Sequence, residues 1–116
     1  MYTYRRHIYE VYIVTNKNRT VFYTGVTNNL QVRLAEHWFN QDDPKTFAGK
    51  YKCHHLVHYE VYHDIKEAIQ REKEIKGWNK YKKLDLIRNK NPLLKFLNEQ
   101  VCKEWPPLEE FRPKRG

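Results

Sequence analysis

The feature that most restricts the fold is a pair of short runs rich in β-branched and aromatic residues. They are Ile8 to Thr15 and Thr20 to Thr24, separated by the turn-prone Asn16-Lys17-Asn18. Branched and ring side chains pack well on a pleated surface, and two such runs so close together fold back into an antiparallel hairpin. Each strand places a tyrosine at a matching depth, Tyr12 in Glu10-Val11-Tyr12-Ile13 and Tyr23 in Phe22-Tyr23-Thr24-Gly25. Gly25 is expected to end the second strand, where the backbone must bend sharply.

Beyond the hairpin, Asn28 or Asn29 can cap a helix reaching about Phe39, because a short side-chain oxygen there accepts from unpaired N–H groups of the first turn. Residues 41–52, with Asp42-Asp43-Pro44 and Gly49, read as a loop, and His55 to Tyr62 as a third strand. Asp64 caps a second long helix over Ile65 to about Lys76, ended by Gly77. Asn79 to Asn89 is a basic helix, Asn91-Pro92 a break, and Leu93 to about Lys103 a last amphipathic helix. The stretch from Trp105 to Gly116 lacks periodicity and is expected to be a loosely docked or disordered tail.

With 116 residues the chain has room for one modest core. Residues 1–92 form the domain in this reading, and 93–116 the C-terminal helix and flexible tail. The expected fold class is α/β in the broad α+β sense, a three-stranded, mainly antiparallel sheet flanked by helices.

Lys and Arg number 22 against 14 Asp and Glu, a formal net charge of +8, and 15% of residues are aromatic. This balance favours a polyanion, nucleic acid first, since cations neutralise phosphates and ring faces stack on bases. Lys76-Gly77-Trp78-Asn79-Lys80-Tyr81-Lys82-Lys83 interleaves the two types and suits backbone tracking. Core packing by Trp78 and Tyr81 beneath a solvated lysine face is the structural alternative. Cys53 and Cys102 lack metal-binding spacing, so the chain is expected in a reducing, cytoplasmic setting. The basic start, Met1 to Arg6, is not followed by a continuous apolar stretch, and no segment approaches bilayer-spanning length. Cys53, His54, His55 and His58 suggest zinc, but alternation sends His54 and His58 to one strand face and His55 to the other.

Periodicity marks two anomalies. Ile65, Ala68, Ile69 and Ile75 share one helix face, and Glu72 falls in that stripe. A buried carboxylate requires a partner, which is either Lys76 one turn on or a metal ion. On the first helix, Leu30, Leu34 and Trp38 form the apolar stripe, with Arg33 and His37 along its edge beside the strand tyrosines. A guanidinium can grip two phosphate oxygens, whereas an isolated arginine commonly snorkels to solvent and a strand tyrosine commonly packs.

The order Glu10-Val11-Tyr12, ten intervening residues, Tyr23-Thr24-Gly25, then Asn29-Leu30-Gln31-Val32-Arg33-Leu34-Ala35-Glu36-His37 resembles the GIY-YIG nuclease superfamily. Glu67-Ala68-Ile69-Gln70-Arg71-Glu72-Lys73-Glu74-Ile75-Lys76-Gly77-Trp78 resembles the second signature of its small, stand-alone YhbQ-like group. The resemblance spans roughly residues 8–92. It implies that Tyr12, Tyr23, Arg33, His37 and Glu72 are catalytic, with Glu72 the metal ligand, and it places the family's polar residue after the last shared helix on Asn91. Glu10 departs from the first motif's glycine, which is often absent in the YhbQ-like group. Val26 stands where some relatives carry a lysine.

The chemistry so implied is Mg²⁺-dependent hydrolysis of DNA phosphodiesters, with Mn²⁺ able to substitute. Arg33 would take one side of the phosphate, and Tyr12, Tyr23 or His37 would serve as general base; a phenol of pKa about 10 does so only if cations lower it. Arg33, Lys76, Lys80, Lys82, Lys83 and Asn91 are the expected nucleic-acid contacts. The expected partner is DNA, branched or damaged, with RNA open, no membrane, and a monomeric protein acting in repair or recombination. A nucleic-acid-binding module without catalysis is the alternative, and an adaptor using the Leu93 helix and Trp105 tail a third reading.

Overall fold

The aromatic runs pair as an antiparallel hairpin in a computed structural model that describes residues 7–113. Strand β1, Tyr9–Thr15, is followed by β2, Phe22–Thr27. The turn is held by Asn16, whose Oδ1 accepts from the amides of Thr20 at 2.8 Å and Val21 at 3.1 Å. Strand β3, His55–Tyr62, pairs antiparallel on the other side of β1, giving the order β2-β1-β3.

Helices cover both faces. On one face, Val11, Ile13, Phe22 and Val57 pack with Ala68 and Ile75 of α3, Ile65–Lys76, and with Ile87 of α4, Lys80–Lys90. On the other, Tyr12, Val14 and Leu56 pack with Leu30 and Leu34 of α1, Leu30–Phe39, and with Ala48 of a single-turn helix α2, Phe47–Lys50. Burial of these side chains at roughly 1.5–3 kcal/mol each is the main driving force for closing both layers on the sheet.

The caps follow from local chemistry. Asn29 Oδ1 accepts from Val32 N at 3.2 Å, fixing the start of α1, and Asp64 Oδ1 accepts from Lys66 N at 2.9 Å at the start of α3. Gly77 closes α3 with its φ at −78°, so it ends the helix without entering the left-handed region. We expect Asp64→Ala to cost about 1 kcal/mol, the usual loss for such a cap, measured as a urea midpoint shift at unchanged slope.

Five expectations change. Gly25 does not end β2: the strand runs on to Thr27, and Gly25 sits opposite Tyr12 in the ladder. Its absent side chain provides room, since an added Cβ would overlap the Tyr12 ring. On α3 the buried stripe is Ala68 and Ile75, while Ile65 and Ile69 reach solvent. The loop over residues 41–52 contains α2, capped by Thr46, whose Oγ1 accepts from Gly49 N at 2.9 Å.

The fourth change concerns the helix expected from Leu93 to about Lys103, of which only Asn98–Val101 is helical, as α5. Leu94 is in the left-handed region at φ 49°, which no continuous helix permits. Side chains replace the missing helical bonds: Asn91 Nδ2 donates to Val57 O at 3.0 Å, and Asn98 Oδ1 accepts from Leu56 N at 2.8 Å. The following segment docks on α1, the first of the two expected arrangements for residues beyond Trp105. Trp105 meets Trp38 edge to face at 5.7 Å, and the Arg112 guanidinium lies 4.8 Å from the Phe39 ring. Residues 1–6 and 114–116, on which the basic start and the last of the tail fall, lie outside the described residues.

The strand alternation expected for the histidines is broken by a register shift in the β1–β3 ladder, where His58 faces Ile13 and Leu56 faces Val14. His54 therefore lies against Trp38 of α1, with ring centres 5.2 Å apart, whereas His58 bonds Glu60 at 2.8 Å. Glu60 in turn accepts from Arg71 of α3 at 2.8 Å. Burial alone would raise the Glu60 carboxyl, but hydrogen bonds from His58, Arg71 and Tyr62 outweigh it and hold the group far below the ordinary carboxylate range.

Candidate active site

Tyr12 and Tyr23 alternate to the same face of the hairpin, and α1 crosses that face so that His37 lands between them. Tyr12 Oη and His37 Nε2 are 2.8 Å apart, and ring centres lie 5.7 Å apart for Tyr12–His37, 5.6 Å for Tyr23–His37 and 6.5 Å for Tyr12–Tyr23. The hydrogen bond runs from phenol to imidazole or from imidazole to phenol according to the His37 tautomer.

The three rings differ in access. Tyr12 is 1% exposed, whereas Tyr23 and His37 line an open hollow with Arg33, Glu36 and Phe47. Burial first, then the Tyr23 phenol and the Glu36 and Glu72 carboxylates, push the Tyr12 phenol far above its ordinary value, against the pull of Arg33. Tyr12 thus stays a protonated prop beneath the floor of the hollow.

His37 is displaced in the other direction. Burial, then the positive charge of Arg33 and the repulsion that a second protonated imidazole at His54 would exert, lower it from 6.5 to about 4. His54 is lowered to about 4 by burial and then His55, with Lys52 adding to the effect and Asp42 opposing it. Both imidazoles are neutral in the folded chain near neutral pH. The unfolded chain binds protons at these positions below about pH 6.5 that the folded chain refuses, so stability falls as pH drops from 6.5 toward 4. Urea midpoints across that window should decline in wild type and less steeply in His37→Gln; a flat wild-type profile contradicts the neutral-imidazole account.

Arg33 lies on the rim. Its Nε is 3.4 Å from Glu36 Oε1 in a pair whose side chains are both about two-fifths exposed. Such a pair contributes at most about 1 kcal/mol, so the guanidinium is free to exchange it for a stronger anion.

Glu72 projects from α3 and is 13% exposed, with Oε2 2.8 Å from Lys76 Nζ. Lys76 Nζ also lies 5.8 Å from the centre of the Tyr23 ring. The acid is thereby joined to the tyrosine edge of the sheet through one lysine, and its charge is felt at Tyr12. It does not line the hollow that holds Arg33 and His37. Among the described residues no cluster of three His, Cys, Asp or Glu side chains could hold a metal. A lone carboxylate accords with Mg²⁺, which keeps several waters and takes one or two carboxylates together with substrate phosphate.

The remaining sequence candidates divide. Burial and then the charge of Lys76 lower Lys83 below the ordinary lysine value. Lys82 Nζ lies 4.4 Å from the Trp78 ring and Lys80 borders a separate basic hollow with Arg19 and Arg88. Trp78 packs against the core and Tyr81 is 77% exposed, so the two aromatics of that stretch have different surroundings. Asn91 is buried, its amide bonded to Val57 O, Lys95 O and Lys95 N, which leaves little of it for a ligand.

Sequence reasoning did not single out Glu36 or Phe47. Phe47 stacks on Tyr23 at 6.0 Å and borders the hollow, a placement set by α2 folding back against the end of α1. The Glu36 spacing of three from Arg33 was the available signal.

The family described as the GIY-YIG catalytic domain matches residues 8–85. UPF0213 proteins of Staphylococcus aureus strains Mu50 and N315 are each 34% identical over 80 residues, covering 69% of this chain and 94% of the relative. Among solved structures, the solution NMR structure of a UPF0213 protein from Bacillus halodurans is similar with a TM-score of 0.49 and 24% identity. That similarity covers 82% of this chain and 98% of the other. No helix among the described residues is long and apolar enough to cross a membrane.

Proposed function

This chain belongs to the GIY-YIG family, and on that premise we propose that it is a divalent-metal-dependent endonuclease acting on DNA phosphodiesters. The observation that carries the reading is the meeting of Tyr23, His37 and Arg33 around one open hollow, with Tyr12 bonded beneath it. A phosphodiester resists hydrolysis because its anionic oxygens repel a nucleophile, so a site must offset that charge and orient water.

Arg33 would hold two oxygens of the phosphate in its planar fork, releasing Glu36. Tyr23, the accessible phenol, would orient the attacking water and, as the phenolate, take the proton that water gives up; Tyr12, enclosed and protonated, would position His37 instead. His37, neutral at pH 7, can accept a hydrogen bond from that water without repelling Arg33. Glu72 would hold the divalent cation, Mg²⁺ or Mn²⁺, which when bound offsets phosphate charge and assists departure of the 3′ oxygen. Lys76 and Lys83 extend positive charge from Glu72 along the surface for the flanking backbone. A branched or damaged DNA substrate, a role in repair or recombination, cytoplasmic placement and action as a monomer are parts of the same proposal.

A second reading, binding of nucleic acid without cleavage, draws on the Glu72–Lys76 and Arg33–Glu36 pairs, which neutralise both key charges within the chain. A panel of linear, flapped and junction DNA, with the corresponding RNA, incubated with Mg²⁺, Mn²⁺ or EDTA separates the two. Metal-dependent cutting of DNA is the expected result. Binding to the panel with no cutting in either metal supports the second reading and rejects the first.

A further inference from the structure

From the hollow, a series of rings leads outward to solvent: His37, Tyr23, Phe47 and Tyr51. Successive ring centres are 5.6, 6.0 and 4.8 Å apart, and Phe47 lies within 27° of parallel to Tyr23. The outer two rings are unusually open for their size, Phe47 at 49% and Tyr51 at 41% exposure. Capping Tyr23 needs only one face of Phe47 and does not account for a second exposed ring beside it.

The segment holding these rings is fixed. Thr46 caps the single turn of α2, and Gly49 is so closely enclosed that an added Cβ would lie 2.5 Å from the carbonyl oxygens of Asn40 and Asp43. Rigid rings lose little entropy when a ligand stacks on them. The surrounding charge favours an anion: Lys50 Nζ is 5.4 Å from the Tyr51 ring, and Arg33 stands in the adjoining hollow. Lys52 is held by Asp42 at 3.1 Å, an exposed and therefore weak pair.

We propose that Phe47 and Tyr51 form a stacking platform for an unpaired base of DNA, adjacent to the phosphate held in the hollow, so that the protein prefers single-stranded segments to fully paired duplex. The role of the hollow in this inference rests on the nuclease reading above. Base faces are hidden inside a duplex and open in a single strand, and ring stacking is largely independent of base identity. The platform therefore selects for nucleic-acid shape rather than sequence.

Fluorescence anisotropy with the full chain in EDTA reads binding without cutting, using a labelled single-stranded oligonucleotide and a blunt duplex of the same length. The comparison protein is Phe47→Leu/Tyr51→Leu, which keeps apolar bulk and removes the π faces. Wild type should bind the single strand more tightly than the duplex, and the double variant should lose about tenfold on the single strand and several-fold less than that on the duplex. An equal loss on both, or no loss, overturns the platform. A 2-aminopurine base in the single strand gives an independent reading: quenching by wild type and not by the variant supports stacking, and no quenching by wild type overturns it. Circular dichroism of the variant verifies its fold. A wild-type protein that cuts nothing in Mg²⁺ but shows the selective binding loss rejects the nuclease reading and leaves the platform standing. Cutting without that loss rejects the platform alone.

Discussion

Glu72→Gln should reduce metal-dependent DNA cutting roughly a thousandfold while leaving the melting temperature within about 2 °C of wild type. The two halves of that expectation have separate physical origins. Stability changes little because the pair it breaks, Glu72 with a half-exposed Lys76 one turn on, contributes only about 0.3–0.5 kcal/mol, and an amide fills the same volume. Activity should change greatly on the role proposed for Glu72, because an amide is a poor ligand for a hard divalent cation and several kcal/mol of charge stabilisation at phosphorus would depend on the carboxylate. Initial rates on one DNA substrate across a Mg²⁺ series, beside thermal melts, measure both. A variant that cuts as fast as wild type removes Glu72 from the site. One that fails to cut because it has unfolded would show in the melt and would indicate instead that the Lys76 bond holds α3 in place. Arg33→Ala, on the rim of the hollow, should also lose activity. The two losses should add to less than their sum in the double variant if both residues act on one phosphate.

What could be read from the chain beforehand was set by the range of the forces involved. Strand β3 at His55–Tyr62 and helix α3 from Asp64 to Gly77 were legible because side-chain patterning and capping act within a few residues. Asn29 as the cap of α1 belongs to the same class. The departures arise from contacts between distant residues. Leu93 to Lys103 has a plausible helical pattern, yet Asn91 and Asn98 bond to the β3 backbone at Val57 and Leu56 and draw the chain along the sheet edge. The displacement of His58 from His54 required knowing that the β1–β3 ladder slips by one residue. Phe47 could not be associated with Tyr23 without the fold of α2 against α1. In the site itself, residue types pointed to Tyr12 and Tyr23 as equals. Only the packing distinguishes an enclosed phenol bonded to His37 from an accessible one on the hollow.

That distinction leads to the second large effect, at Gly25. In an ordinary strand, replacing glycine by alanine stabilises by about 0.4–1 kcal/mol, because the unfolded chain loses freedom and the strand loses nothing. Here the sign should reverse. The new methyl would overlap Oη, Cζ and Cε1 of Tyr12, and that ring cannot retreat, being fully buried among Leu30, Leu34 and Leu56. Overpacking of this kind costs about 1–3 kcal/mol, enough to overcome the entropic gain and lower the melting temperature by several degrees. Relief would require Tyr12 to shift away from His37, so the 2.8 Å bond that sets the imidazole should weaken and cutting should fall as well. A double-mutant cycle isolates the cause. In a Tyr12→Leu background the obstructing ring is absent, so Gly25→Ala should become neutral or stabilising there. Equal destabilisation in both backgrounds would show that Gly25 is required for some property of β2 other than the space it leaves for the phenol.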